Sequence, residues 1–437
     1  MVSINSTKII LSRVDPESDR NLKNIYRSAL FYSFGENFAG GQTIGSSFVN
    51  MYAIELGASP TQVGLFHSIT ISVQSIFQLL WGRMSDIFGK RVSFILLGGL
   101  GYSIIWLPIL YAGSPEFLLI FLFFQAIFAS IRMPTWTSLI GDVSPVETRG
   151  KVTANIGFYS TISGLFAIIA AGTIMFYSVG SIRDIYSIPF IAATIFGVIG
   201  TIMILSIKEP RDNVNSGKPY SGITDLISSI KRNKDYQRYL SVAFLSNTSL
   251  VLLLPVISLT TIQVLKADKI TFALYGVVRC GSLLFFQKFI GRIVDLTGRK
   301  NIMFIQRVIY IIIPSLFVFA PNKYFIFFPY LILGFLHAIE GTANLSYLLD
   351  VVPHQDRGSY ISIFNAIQGV GTFISSLMGG YLIEFFSTES NLIESLKVVA
   401  FITTLARIPT ALAYITLRET RAYPSNLKSE LLKLIKR

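Results

Sequence analysis

Glu36, Arg132 and Glu340 each stand inside a long apolar run. An ionisable side chain is costly in hydrocarbon and by default marks a site for a proton, an ion or a polar solute. Arg132 lies ten residues before Asp142, and Glu340 ten before Asp350. At the rise of a helix each is roughly 15 Å in, near the centre of a core about 30 Å thick. Glu36, nine residues past Arg27, is similarly deep. The chemistry expected of the carboxylates is proton or cation binding. The guanidinium would bind an anion or tune a carboxylate, since burial and a nearby cation move proton affinity in opposite directions. Arg132 and Glu340 are expected to face each other, either as binding groups or as a static pair.

Polar residues recur beside these charges at helical spacing. Glu36, Gly40, Thr43 and Ser47 form one stripe, with Asn37 adjoining; Gln125, Arg132 and Trp136 form a second; His337, Glu340 and Asn344 form a third. His67, Thr70, Gln74 and Gln78, and further on Asn365, Gln368 and Thr372, form two more. For many of these residues, hydrogen bonding between helices is a sufficient role. Arg279 and Arg407 are further mid-run cations; Arg279 is a candidate for the same site, and no role is evident for Arg407. Three mid-run arginines against two glutamates favour an anionic or amphipathic solute.

The elements that position these residues are membrane helices. Only 14% of the 437 residues are charged and mean hydropathy is +0.58, against about 25% charged in soluble domains. Twelve apolar runs, at 28–54, 62–82, 92–112, 116–138, 152–178, 185–207, 238–262, 270–290, 301–320, 324–348, 360–384 and 395–417, predict twelve spans. Helices are required because lipid leaves backbone amides no other partner. The fold class expected is an all-α polytopic membrane protein, with twelve helices in two pseudo-symmetric six-helix bundles.

Of 37 basic residues, 27 fall in the termini, the central linker and the connections on that side, and five on the opposite side. Both termini are therefore expected to be cytoplasmic, and the +13 net charge to answer an anionic leaflet rather than nucleic acid. The organisation expected is a cytoplasmic segment at 1–26, a bundle at 27–207, a linker at 208–237, a bundle at 238–418 and a basic tail at 419–437. Ile223, Leu226, Ile227 and Ile230 in the linker predict a short helix on the membrane surface. The single Cys280 excludes an internal disulfide and a cysteine-rich metal site.

Internal repetition ties the halves together. QLLWGRMSDIFGKR at 78–91 returns as QKFIGRIVDLTGRK at 287–300, offset by 209, and GDVSPVETRG at 141–150 returns as LDVVPHQDRG at 349–358, offset by 208. Six spans per half make this a parallel repeat.

Gly82, Arg83, Asp86, Gly89, Lys90 and Arg91, with the second copy at Gly291, Asp295, Gly298 and Arg299, resemble the turn signature of the major facilitator superfamily of secondary transporters. The turns Asp142 to Arg149 and Asp350 to Arg357 fit the same resemblance, which covers nearly the whole chain. Ile87 and Leu296 depart from it where many members carry a basic residue. The resemblance implies two bundles rocking about a cavity lined by spans one, four, seven and ten, and cytoplasmic latch roles for Asp86, Arg149, Asp295 and Arg357.

The function expected is a secondary active transporter of a small organic solute by alternating access, coupled to protons, as a monomer in the plasma membrane. The alternative is a receptor or scaffold that keeps the fold without transport. No nucleotide loop, metal cluster or nucleophile–base set is present in the sequence, so neither enzyme activity nor a cofactor is expected.

Overall fold

The chain enters several of its spans by rules legible in its loops. Ser59 caps a helix that begins at Pro60, reciprocally with Gln62, and Ser181 does the same with Asp184. Asp268 and Asn391 accept hydrogen bonds from the third amide of the helices they start. These side chains satisfy helix amides that would otherwise lack partners at the membrane boundary.

The computed structural model describes residues 16–40, 47–88, 90–144, 149–207, 228, 230–353, 357–387 and 391–420, and every regular element among them is helical. The first bundle holds α1 (two pieces, Pro16–Phe38 and Phe48–Glu55), α2 (Pro60–Ser68, a π turn at Ile69–Val73, then Gln74–Phe88), α3 (Arg91–Leu110), α4 (Pro115–Val143), α5 (Arg149–Tyr177) and α6 (Ile182–Ser206). The second holds α7 (Lys234–Val264), α8 (Lys269–Thr297), α9 (Arg299–Val318), α10 (Phe327–Ile339, a π turn at Glu340–Asn344, then Leu345–Val351), α11 (Arg357–Ser387) and α12 (Leu392–Thr416). Ten of these columns are long and apolar enough to cross a bilayer on those grounds alone. In the first bundle α1 packs on α5 and α6, and α4 on α2 and α3; in the second α8 packs on α10, and α12 on α9 and α11. Large apolar side chains such as Phe166, Phe285 and Phe401 are 63–66% exposed on the outer rim, as lipid contact requires.

Three boundaries differ from expectation. The α1 helix starts at Pro16, well before 28, because Ile25 and Ala29 extend its buried face into a cluster with Val143, Val152 and Ile156. It also breaks near Gly40, whose φ of +84° suits a residue without a Cβ. Glu36 and Ser47 therefore do not share one continuous helical face, and Thr43 lies outside the described residues. The α7 helix begins at Lys234, inside the expected linker. The predicted surface helix at 223–230 lies almost wholly outside the described residues.

Corresponding ion pairs make the repeat visible. Arg91 pairs with Asp142 in the first half, and Arg299 with Asp350 in the second. Both partners are offset by 208, so Arg299 corresponds to Arg91 and not, as the motif alignment has it, to Lys90. The first copy carries one residue more between its last glycine and the helix that follows.

Candidate functional site

In the first bundle the charges are held by aromatic rings. The Arg132 guanidinium carbon lies 3.3 Å from the centre of the Tyr32 ring and 5.3 Å from that of Trp136. Cation–π contact of this kind offsets part of the cost of burying the charge. Its Nε is buried without a hydrogen-bond partner. Glu36, four residues after Tyr32 on α1, lies within the electrostatic reach of Arg132. Next to them, toward the side away from the termini, is a cavity of about 90 Å³ lined by Asn50, His67, Thr70, Tyr102, Trp106 and Gln125, with Leu254 from the other half. Gln125 Nε2 donates to the Tyr102 carbonyl at 3.3 Å. Asn37 is turned away from the cavity: its amide donates to the Ser33 carbonyl at 2.8 Å and abuts Gly164 of α5.

In the second bundle Glu340 opens the α10 π turn, a distortion frequent at functional sites. Arg307 Nη2 lies 3.4 Å from Glu340 Oε1; the Asn344 amide and the Tyr310 hydroxyl reach the same carboxylate at 3.4 and 3.5 Å. The Glu340 side chain is 41% exposed. Leu331, 45% exposed, lies nine residues earlier, about two and a half turns, and so faces the opposite way. Glu340 thus opens toward the space between the halves while Leu331 faces lipid. His337 Nδ1 lies 2.7 Å from the Leu333 carbonyl and therefore donates to it, leaving Nε2 as the acceptor.

The expected meeting of Arg132 and Glu340 is not what the structure shows. Each charge finds its partner within its own half, because α9 places Arg307 beside Glu340 and α1 places Tyr32 and Glu36 beside Arg132. Sequence reading passed over Arg307, whose partner lies on the neighbouring helix. It also passed over Asn247, which donates to Thr372 Oγ1 at 2.9 Å and to the Gln368 carbonyl at 3.2 Å. Both amide atoms of Gln368 are buried without partners. Asn365 is half-buried on the same helix.

Arg407 has a clear role. Its guanidinium donates to the carbonyls of Tyr310 at 2.6 Å, Leu250 at 3.2 Å and Ser249 at 3.4 Å. The Tyr310 carbonyl is the one that Pro314, lacking an amide hydrogen, leaves without its helical partner. The other two lie where α7 breaks at 252–253, before Pro255. A cation at that helix end also suits the helix dipole.

On the side away from the termini the halves are joined. Lys269 Nζ lies 2.6 Å from Glu55 Oε1. Glu384 of α11 accepts from Ser59 Oγ at 3.0 Å and from the Thr61 amide at 3.1 Å, at the start of α2. Ser376 Oγ donates to the Gly64 carbonyl at 3.0 Å, and Ser68 Oγ to the Phe373 carbonyl at 2.9 Å. His67 Nε2 lies 3.1 Å from Ser258 Oγ and 3.3 Å from Asn50 Nδ2. These hydrogen bonds and ion pairs between the halves lie between this side and the middle of the spans.

On the termini side, Arg299 also donates to the Ser346 carbonyl at 2.7 Å, and Arg357 to the Leu349 carbonyl at 3.2 Å. These contacts, like the Arg91–Asp142 and Arg299–Asp350 pairs, stay within one half. Gly89 and the side chains of Arg83, Asp86, Arg149 and Asp295 lie outside the described residues. Gly82 faces Pro134 of α4, and Gly291 faces Thr342 of α10.

Comparison with known proteins agrees with this architecture. The profile of the Major Facilitator Superfamily matches residues 30–284 and 239–436. The chain is similar to an uncharacterised MFS-type transporter of Methanocaldococcus jannaschii, 25% identical over 342 residues, 76% of this chain and 84% of that one. It is also similar to the proton-coupled antiporter flippase LtaA of Staphylococcus saprophyticus, 22% identical over 347 residues, 78% of this chain and 81% of that one. Among solved structures, the nucleoside transporter NupG superposes with a TM-score of 0.71 at 14% identity, covering 91% of this chain and 99% of that one. A D-xylose–proton symporter superposes with a TM-score of 0.67 at 15% identity, covering 92% and 98%. With its matched profile, its duplicated six-helix halves and the signature turn in each, the chain belongs to the Major Facilitator Superfamily of membrane transporters.

Proposed function

We propose that the protein moves a small organic solute across the plasma membrane by proton-coupled alternating access, as a monomer with both termini in the cytoplasm. The observation that carries this reading is the pair of mid-membrane carboxylates, Glu36 and Glu340. Each lies within reach of an arginine of its own half, and a rocking motion changes the access of water to both. The side joined by Glu55–Lys269 and Glu384 is then extracellular, and the state described is the one open to the cytoplasm. In the opposite state the turns around Asp86, Arg149, Asp295 and Arg357 would take over as the cytoplasmic latch.

Proton coupling at Glu36 requires a carboxylate that takes up and releases its proton as its exposure to water changes. A Gln at 36 keeps the shape and removes the titration. Glu36→Gln in liposomes is expected to abolish accumulation driven by a pH gradient while solute exchange continues. Gradient-driven uptake equal to wild type would sink the assignment.

A further inference from the structure

The arginines buried among the spans differ in what answers them. Arg407 has three carbonyls, Arg307 has Glu340, and Arg132 has the Tyr32 ring and the field of Glu36. Arg279 of α8 has neither a carboxylate nor a backbone carbonyl to answer it among the described residues. It is only 8% exposed, and its Nε and Nη1 are buried without hydrogen-bond partners. Among the described residues no carboxylate oxygen lies within 4.0 Å of it. The Cys280 sulfur is a weak acceptor beside it, and the other groups in its field are Tyr310, Tyr330 and His337; none of these carries a negative charge in its ordinary form. A buried charge left uncompensated costs several kcal/mol, so its retention calls for a counter-ion from outside the chain.

Location says which counter-ion. Arg279 is ten residues past Lys269, the first residue of α8, hence roughly 15 Å into the membrane. That is deeper than the headgroups of lipids lying in the bilayer plane. Its neighbour His337 lies three residues before Glu340, on the α10 face that looks into the space between the halves. The planar guanidinium fork suits a two-oxygen acceptor such as a carboxylate, sulfonate or phosphate ester. We infer that Arg279 anchors the anionic group of the solute, which makes the substrate an organic anion. This rests on the transport reading for its biological meaning, but binding itself is measurable without flux.

The test uses the full chain in nanodiscs of zwitterionic lipid and reads the shift in melting temperature, which rises when a ligand binds the folded state. The probes are matched sets: benzoate, benzamide and benzylamine; hexanoate, hexanamide and hexylamine; and phenyl phosphate. The anionic members are expected to stabilise the protein and their neutral and cationic counterparts not to. Arg279→Gln should weaken that binding by about ten- to a hundredfold. Arg279→Lys, which keeps the charge without the fork, should weaken it about tenfold and guards against a folding failure of the first variant. The assignment is overturned by stabilisation from none of the anions, by equal stabilisation from the neutral members, or by anion affinity unchanged in the lysine variant. Stabilisation appearing only when phosphatidylglycerol is added to the nanodisc also overturns it, giving the arginine to a lipid. Counterflow is measured separately: an anion that binds without exchange leaves this site standing and removes the transport reading, and exchange of neutral solutes alone does the reverse.

Discussion

At Arg407 one guanidinium answers the carbonyl that Pro314 leaves without a helical partner and two more at the break in α7, which sets a measurable cost on its loss. Arg407→Leu removes the donor from the Tyr310 and Ser249 carbonyls, while the Leu250 carbonyl keeps the Leu253 amide at 3.3 Å, and is expected to destabilise the protein by about 2–4 kcal/mol in thermal unfolding. Pro314→Ala restores an amide to the Tyr310 carbonyl, so Arg407→Leu should cost less in that background; strict additivity of the two changes would contradict the contact. A second residue-scale test lies outside the bilayer, at Asp268. Burial alone would raise its carboxyl pKa, but the Lys323 ammonium and the Thr271 amide and hydroxyl outweigh it and hold the carboxyl below its ordinary range. A depressed carboxylate stabilises the fold above the unfolded pKa, about 3.9, and loses that contribution as pH falls through the folded value. Asp268→Asn keeps a capping side chain and removes the charge. The melting temperature of wild type should therefore exceed that of the variant at pH 7, and the difference should close below about pH 4; a difference independent of pH would place the effect in the cap.

At the scale of elements, the seal between α2 and α11 depends on the absence of side chains. A Cβ on Gly64 would meet the Ser376 carbonyl, and one on Gly380 would meet the Pro60 carbonyl, so the two backbones lie as close as small residues allow. Gly64→Leu is expected to wedge the helices apart, to expose the 90 Å³ cavity to impermeant reagents from the sealed side, and to abolish transport; full activity in that variant would rule out closure at this contact. The elements were largely legible, because continuous apolar runs, capping residues such as Ser59 and Ser181, and two repeated turns each carry a local signal. The candidate site was legible only in part. Depth along a run picked out Glu36, Arg132 and Glu340, since it needs nothing but residue counting. Partners did not emerge that way: Arg307 reaches Glu340 across two helices, and Arg407 answers backbone carbonyls, which have no signature in the sequence. The π turn at Glu340 and the break at Gly40 are likewise set by packing rather than by local composition.

For the whole molecule, alternating access means that the two sides cannot be joined at once, and that a seal held permanently must stop transport. The ion pair of Glu55 with Lys269 is the place to hold it, since it bridges the halves and both side chains are only 20–23% exposed. The chain's single cysteine, Cys280, leaves a cysteine-free background one substitution away. With Cys280→Ser as reference, Glu55→Cys and Lys269→Cys together are expected to lose uptake when a short, cleavable bifunctional thiol reagent joins them, and to regain it when the linker is cleaved. The loss should require both cysteines, because either one alone modifies the seal without fixing it. Transport that continues at the reference rate with the two halves covalently joined here would show that the bundles do not separate on this side, and would exclude the rocking mechanism for this chain.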